Sequence, residues 1–136
     1  MKNILSATMC ALILSSGVAT GAWSSGKAPA AVQAEFKEFL PKFRAALKAD
    51  DAAAVAGMAT LPFQGDTAVS TAAQFQKMIY EESFTKKNRA CIQRGSAVYD
   101  RDQENNDNFM IFCGELIFVF TKTPAGFRLT DIAVND

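Results

Sequence analysis

Apolar side chains recur at spacings of three and four over residues 32–49, at Phe36, Phe39, Leu40, Phe43 and Leu47. This spacing predicts an α-helix with one apolar face packed on a core. Pro41 lies inside the stripe, and a proline there removes a backbone hydrogen bond, so we expect a kink or a restart. Asp50 and Asp51 predict a turn and the cap of a short second helix that ends near Met58.

The next segment contains a breaker and a helix start. Pro62, in the apolar triplet 61–63, excludes a central strand but permits an edge segment. Thr71, followed three residues later by Gln74, predicts a capping box. The apolar positions after it predict a third helix that reaches about Ser83.

Beyond Arg89 the apolar period changes to the alternation of extended chain. It predicts three strands in hairpin order, over residues 90–99, 109–122 and 127–134. The middle segment is apolar on both faces, which predicts a central strand covered on both sides. Helices followed by an antiparallel meander predict the α+β class.

The first residues have the composition of a secretory signal peptide. Lys2 is their only charge, and the apolar run that follows is interrupted and too short to span a bilayer. We therefore expect a cleaved signal peptide over 1–22, a flexible leader over 23–31 and one domain over 32–136. The product is expected in the periplasm or the medium, without stable membrane insertion.

Charge sets a further limit on partners. Basic and acidic side chains number 14 each, and loss of Lys2 leaves the exported product one charge negative. A near-neutral domain has no strong field for nucleic acid, so no nucleic-acid partner is expected.

Removal of the signal takes Cys10 with it and leaves Cys91 and Cys113. In an oxidising compartment an intramolecular disulfide is the default, and two buried thiols are the alternative. The loop closed by the disulfide predicts about 3 kcal/mol of stabilisation in the chain-entropy model.

A disulfide between adjacent strands sets a register. With Cys91 opposite Cys113, Gly95 faces Phe109 and Tyr99 faces Asn105, with the hairpin turn over residues 100–104. A turn at residues 106–107 is the alternative, and it would move the two cysteines apart.

The chain contains no histidine. This excludes Ser-His and Cys-His nucleophile pairs, imidazole bases and histidine-ligated zinc, and no motif indicates a cofactor or metal. The acidic group from Asp100 to Asp107 is similar to half a calcium loop. Asn105 and Ile111 stand where such a loop requires Gly and Glu, which favours a solvated hairpin tip.

Four residues are candidates for ligand binding: Glu115, Arg94, Tyr80 and Tyr99. Glu115 interrupts the apolar middle strand, and a carboxylate on a covered strand needs a partner or a raised pKa. Arg94 and Arg128 are its candidate partners, and a structural ion pair or a position at the rim is the alternative. Tyr80 and Tyr99 are candidate pocket residues.

The segment EFKEFLPKFRAALKADDAAAVAGMATLPFQ (35–64) and the closing GFRLTDIAVND (126–136) resemble the cone-shaped superfamily typified by nuclear transport factor 2, also called cystatin-like. The first segment resembles the opening of uncharacterised exported bacterial members of this group. The resemblance implies N-terminal helices packed on a strongly curved antiparallel sheet. It also implies that sheets pack face to face in homodimers.

These observations lead to three hypotheses. The first is a non-catalytic exported domain that binds a small apolar or amphipathic ligand or an envelope protein. The second is an enzyme that uses Glu115 for proton transfer. The third is a homodimeric scaffold.

Overall fold

The computed structural model describes residues 26–136, and the predicted signal peptide lies outside that range. The described helices are α1 (Ala30–Lys48), α2 (Ala52–Gly57), α3 (Ala72–Phe75), α4 (Glu81–Ser83) and α5 (Lys86–Arg94). A π-helical turn, Gln76–Tyr80, joins α3 to α4, and two 3-10 turns, Phe63–Gly65 and Thr67–Val69, precede α3. The strands are β1 (Val98–Arg101), β2 (Asp107–Cys113), β3 (Leu116–Thr123) and β4 (Gly126–Val134).

The α+β class is confirmed, with helices followed by one antiparallel sheet of order β1-β2-β3-β4. The strong curvature expected for a cone stays a prediction. The helical region begins earlier than expected, because α1 starts at Ala30 and Ala28 is buried. The last residues of the predicted leader therefore belong to the folded domain.

α1 continues through Pro41 as one helix, so the expected restart is not observed. Aromatic side chains on both sides of the proline pack on the same sheet. Phe36 stacks on Phe109 with ring centroids 3.9 Å apart, and Phe43 meets Phe120 edge-on at 4.9 Å. This shared contact surface offsets the missing backbone hydrogen bond.

The two predicted helix caps, at Asp51 and Thr71, are confirmed. The Asp51 side chain accepts a hydrogen bond from the Ala54 amide. The Thr71 hydroxyl accepts one from the Gln74 amide, and the Gln74 side chain accepts one from the Thr71 amide, which completes the capping box.

The core lies between the helices and one side of the sheet, which we call the helix-covered face. Alternate strand residues point to this face. They include Phe109, Ile111, Phe118, Phe120, Phe127 and Leu129, all buried.

The predicted first strand is wrong in its first half. Residues 86–94 form α5, whose start is capped by the Thr85 hydroxyl accepting from the Asn88 amide. The strand is limited to β1, and Tyr99 pairs with Phe109 instead of Asn105. The helix wins because residues 86–94 are rich in Lys, Arg and Gln, which favour helix, and begin with a cap.

The predicted middle strand is two strands. Gly114 adopts φ +65 and turns the chain, so that Cys113 pairs with Leu116. A two-residue turn containing glycine between two apolar alternating runs is a hairpin signal. Glu115 therefore lies on an exposed turn and not within a covered strand.

The Cys91–Cys113 disulfide is present, with Cα atoms 5.9 Å apart. It joins α5 to the end of β2, so it does not link two strands as expected. The register argument built on adjacent strands is wrong for this reason, although the pairing of the two cysteines is right.

The free edge of β4 is partly covered by the segment after α2. The Leu129 amide donates to the Met58 carbonyl at 2.8 Å, and the Thr60 amide donates to the Leu129 carbonyl at 3.0 Å. Ala59 and Leu129 form a parallel bridge. At the opposite edge of the sheet stands β1, the shortest of its strands.

Removal of the disulfide is expected to destabilise the domain. A Cys91→Ala, Cys113→Ala double variant should lose about 3 kcal/mol of unfolding free energy, because the unfolded chain gains loop entropy. Urea unfolding of the double variant and of wild type with and without reductant would measure it. The double variant should match reduced wild type. Equal stability of oxidised and reduced wild type would contradict the expectation.

Candidate functional site

Glu115 does not occupy a buried site. It is exposed on the β2–β3 turn and lines a groove of about 490 Å³, together with Lys87 and Cys113 of the disulfide. Neither expected arginine pairs with it: Arg128 donates to the Gly57 carbonyl, and Arg94 lies in a different groove. The premise of the enzyme hypothesis, a covered Glu115, is therefore wrong.

Tyr80 is buried in the core, where its ring stacks on Phe84 at 5.1 Å. Its hydroxyl donates to Asp50 Oδ1 at 2.7 Å, and Arg89 donates to the same oxygen. Burial raises the pKa of Tyr80, and the hydrogen bond to Asp50 raises it further. Tyr80 thus remains protonated at neutral pH and ties the helices together.

Tyr99 lies on the helix-covered face of β1, with its ring 5.4 Å from Phe109. Its hydroxyl donates to Asp107 Oδ1 at 2.6 Å. Burial raises the pKa of Tyr99, with a further contribution from the Asp107 hydrogen bond. This hydroxyl is engaged within the hairpin, as the Tyr80 hydroxyl is engaged with Asp50.

Arg94 lines a groove of about 480 Å³ between α1 and the chain that connects α5 to β1. We call it the α1–α5 groove. Lys37 and Arg44 of α1 also line it, and Phe36 and Phe109 contribute to its floor. Of the four predicted ligand residues, only Arg94 lies here, and Tyr99 reaches it indirectly through Phe109.

Hydrogen bonds from α1 and α5 hold this groove in shape. Arg44 donates through Nε to the Ile92 carbonyl at 2.9 Å and through Nη2 to the Gly95 carbonyl at 2.6 Å. The Gln93 side chain donates back to the Arg44 carbonyl at 2.7 Å. The two bonds from Arg44 satisfy carbonyls at the end of α5, which a helix terminus leaves without partners.

Glycine is required where the groove meets the sheet. A Cβ at residue 95 would lie 2.6 Å from Cγ2 of buried Ile111 and 3.1 Å from the Cys91 carbonyl oxygen. Only a residue without a side chain lets the connection approach this closely.

The second candidate surface is the side of the sheet that faces away from the helices, which we call the open face. Strand pairing places six apolar residues on it: Val98, Met110, Phe112, Ile117, Val119 and Ala133. Phe112 and Val98 are each 45% exposed. Among residues 26–136, every aromatic contact from helix to sheet falls on the other face, so the expectation of cover on both sides is wrong.

A row of polar side chains crosses one end of the open face. Thr121 donates to Asn108 Oδ1 at 2.6 Å and shares a hydrogen bond with Thr130 at 2.6 Å. The side-chain Nδ2 of Asn108 donates to Asp102 Oδ2 at 3.1 Å. This row satisfies its own polar atoms and bounds the apolar part of the face.

Asp102 organises the β1–β2 turn. Its carboxylate accepts hydrogen bonds from the Glu104 and Asn106 amides and from the Asn106 and Asn108 side chains. Burial acts to raise the pKa of Asp102, but these hydrogen bonds outweigh it and hold the pKa below its usual value. The turn thus uses its acidic residue structurally, and no metal-binding cluster of three or more His, Cys, Asp or Glu occurs within residues 26–136.

Comparison with family models, with characterised proteins and with solved structures finds nothing that matches this chain. The resemblance to the cone-shaped superfamily therefore stays a prediction. In the part of the chain that the structure describes, none of the helices is long and apolar enough to cross a bilayer.

Sequence reasoning missed Lys37 and Arg44, although a signal was present. Lys37, Leu40 and Arg44 follow one another at spacings of three and four, on a stripe beside the buried phenylalanines of α1. It also missed the open face, because joining β2 and β3 into one strand made both of its sides look buried.

Loss of the Asp102 charge should destabilise the turn in a pH-dependent way. Asp102→Asn is expected to lower the unfolding free energy by about 1–2 kcal/mol at pH 7. The variant replaces the charged acceptor of these hydrogen bonds with a neutral amide, on a loop that is partly exposed. A depressed carboxyl pKa gives stability that is complete above the unfolded-state value and lost as pH falls through the folded value.

The difference between Asp102→Asn and wild type should therefore shrink below about pH 4. Urea unfolding at pH 7 and pH 3 would measure it. Glu104→Gln is the matched control, because it removes a negative charge from the same turn and keeps the Asp102 hydrogen bonds. A pH-independent difference for Asp102→Asn would contradict this role.

Proposed function

We propose that this chain is an exported, non-catalytic binding domain whose open face docks on a second copy of the chain. The observation that carries the proposal is the exposure of Phe112 and Val98 on a sheet side that no described helix covers. Large apolar patches are rare on monomers and mark interaction surfaces.

The chemistry of the open face favours a copy of itself. Its apolar part lacks charged side chains except Asp131 at its β4 side, and Asp131 accepts a hydrogen bond from Gln64. Each copy therefore brings one charged side chain to the contact, at the β4 side of the apolar part. A two-fold axis brings the same patch together from both subunits, which is the commonest arrangement of soluble oligomers.

The size of the face indicates a weak dimer. The four strands have four to nine residues. With strands about 4.8 Å apart and a rise of ~3.3 Å per residue, the face measures roughly 19 Å across and at most about 30 Å along the strands. Side chains that project from the sheet add accessible area and bring it toward the ~600–1,000 Å² that each partner buries in specific interfaces. Aligned packing of two sheets about 10 Å apart is the expected geometry.

The disulfide and the sequence of residues 1–22 support export to an oxidising compartment. The crosslink holds α5 against the sheet. Glu115, exposed on a turn, gives no support to an enzymatic alternative.

Self-association should depend on Phe112. Sedimentation of the disulfide-bonded protein over a range of micromolar concentrations should show reversible dimers. Phe112→Glu should weaken dimerisation about tenfold or more, because association would bury an unpaired carboxylate, and ~1.4 kcal/mol is already a factor of ten.

Met78→Glu is the matched control. Met78 is 43% exposed, yet it lies on the π-helical turn, away from the open face. It should leave dimerisation unchanged. A wild-type protein that stays monomeric throughout would refute the self-association, and an equal effect of both variants would refute the assignment of the open face.

Export predicts a processed chain. The protein purified from its own host should begin at or near Trp23 and should lack two hydrogens relative to its reduced form. Intact-mass analysis before and after reduction would check both points. A product that retains residues 1–22, or that carries two thiols, would contradict export through this signal.

A further inference from the structure

We infer that the α1–α5 groove binds a small amphipathic monoanion, a carboxylate attached to a short apolar body. This site is separate from the open face proposed for dimerisation, since it lies on the helix side of the sheet. It assigns the protein a ligand as well as a partner.

The charges around the groove have one sign. Lys37, Arg44 and Arg94 line it, and none of its lining residues is acidic. Within residues 26–136, neither Lys37 nor Arg94 forms an ion pair, whereas the ion pairs that do occur involve Arg89 and Lys122. Cations collected in one cleft attract an anion more strongly than scattered ones do.

Apolar side chains in the groove indicate that the ligand carries an apolar body as well as a negative charge. Leu40 and Ala97 are half-buried along the walls, and Pro41 is exposed beside them. Phe36 and Phe109, stacked on each other, close the floor. A fully hydrated inorganic anion would leave this surface unused, so an apolar body attached to the carboxylate fits better.

The groove is preorganised rather than assembled by the ligand. Arg44 is held by two carbonyls of the α5 end, and residue 95 is pressed against Ile111. Arg94 follows directly from this fixed segment. A frame that is already ordered spends less binding free energy on immobilising its own residues.

Size and charge together define the class of ligand. A volume of about 480 Å³ falls within the ~300–1,000 Å³ of small-molecule sites. An arginine fork recognises a carboxylate with two parallel hydrogen bonds, and a nearby lysine adds a point charge. Arg94 and Lys37 are therefore assigned to the carboxylate, with Leu40 against the apolar body.

Calorimetric titration of the disulfide-bonded protein with octanoate tests this site. Octanoate should bind, and octanol should bind about tenfold more weakly or not at all, since it lacks the charge. A parallel titration with 4-phenylbutyrate separates acyl from aryl bodies, and binding of either carboxylate supports the site.

Arg94→Glu and Lys37→Glu should each lower octanoate affinity about tenfold or more, and both variants should keep the fold because the two side chains are exposed. Lys86→Glu is the matched control, a charge reversal on the same helix outside the groove. Phe112→Glu should keep octanoate binding, which separates this site from the dimer proposal.

The proposal is overturned if neither carboxylate binds at millimolar concentration, or if octanol binds as well as octanoate. It is also overturned if Arg94→Glu and Lys86→Glu weaken binding equally, since that result would indicate a general charge effect and no defined groove.

Discussion

The structure depends on the aromatic contact between α1 and the sheet. Phe36 stacks on Phe109 and meets Phe127 edge-on, while Phe43 meets Phe120. Such pairs add to the free energy of the apolar burial itself. With α1 held on one side of the sheet, the other side remains open and the rim of α1 becomes a wall of the α1–α5 groove.

Both candidate surfaces are therefore products of the same packing. α1 presents its phenylalanines to the sheet and its next stripe, with Lys37 and Arg44, to the groove. The disulfide draws α5 to the end of β2, and Arg44 draws the end of α5 to α1.

Features determined by local chemistry were predictable from the sequence. The helix stripe of α1, the cap at Asp51 and the capping box of Thr71 and Gln74 each depend on residues close together in the chain. The class of fold followed from the order of these periods. The pairing of Cys91 with Cys113 followed because the export prediction leaves only two cysteines.

The failures occurred where one local signal was weighed against another. The expected first strand begins at Ala90, but the cap at Thr85 and the helix-forming side chains of residues 86–94 extend α5 through Arg94. The expected strand over residues 109–122 includes Gly114, whose positive φ instead creates a hairpin turn and exposes Glu115. The α1–α5 groove depends on contacts such as Arg44 with Gly95, distant in sequence, which no periodicity reveals.

The covering of β4 by Met58 and Thr60 has a consequence for how copies of the protein can add to one another. Backbone groups that are already bonded cannot pair with a foreign strand, so that border of the sheet is blocked at Leu129, within β4. The opposite border is formed by the four residues of β1, which are too few to pair stably with a strand of another molecule. Growth of a continuous sheet from one copy to the next is therefore disfavoured at both borders.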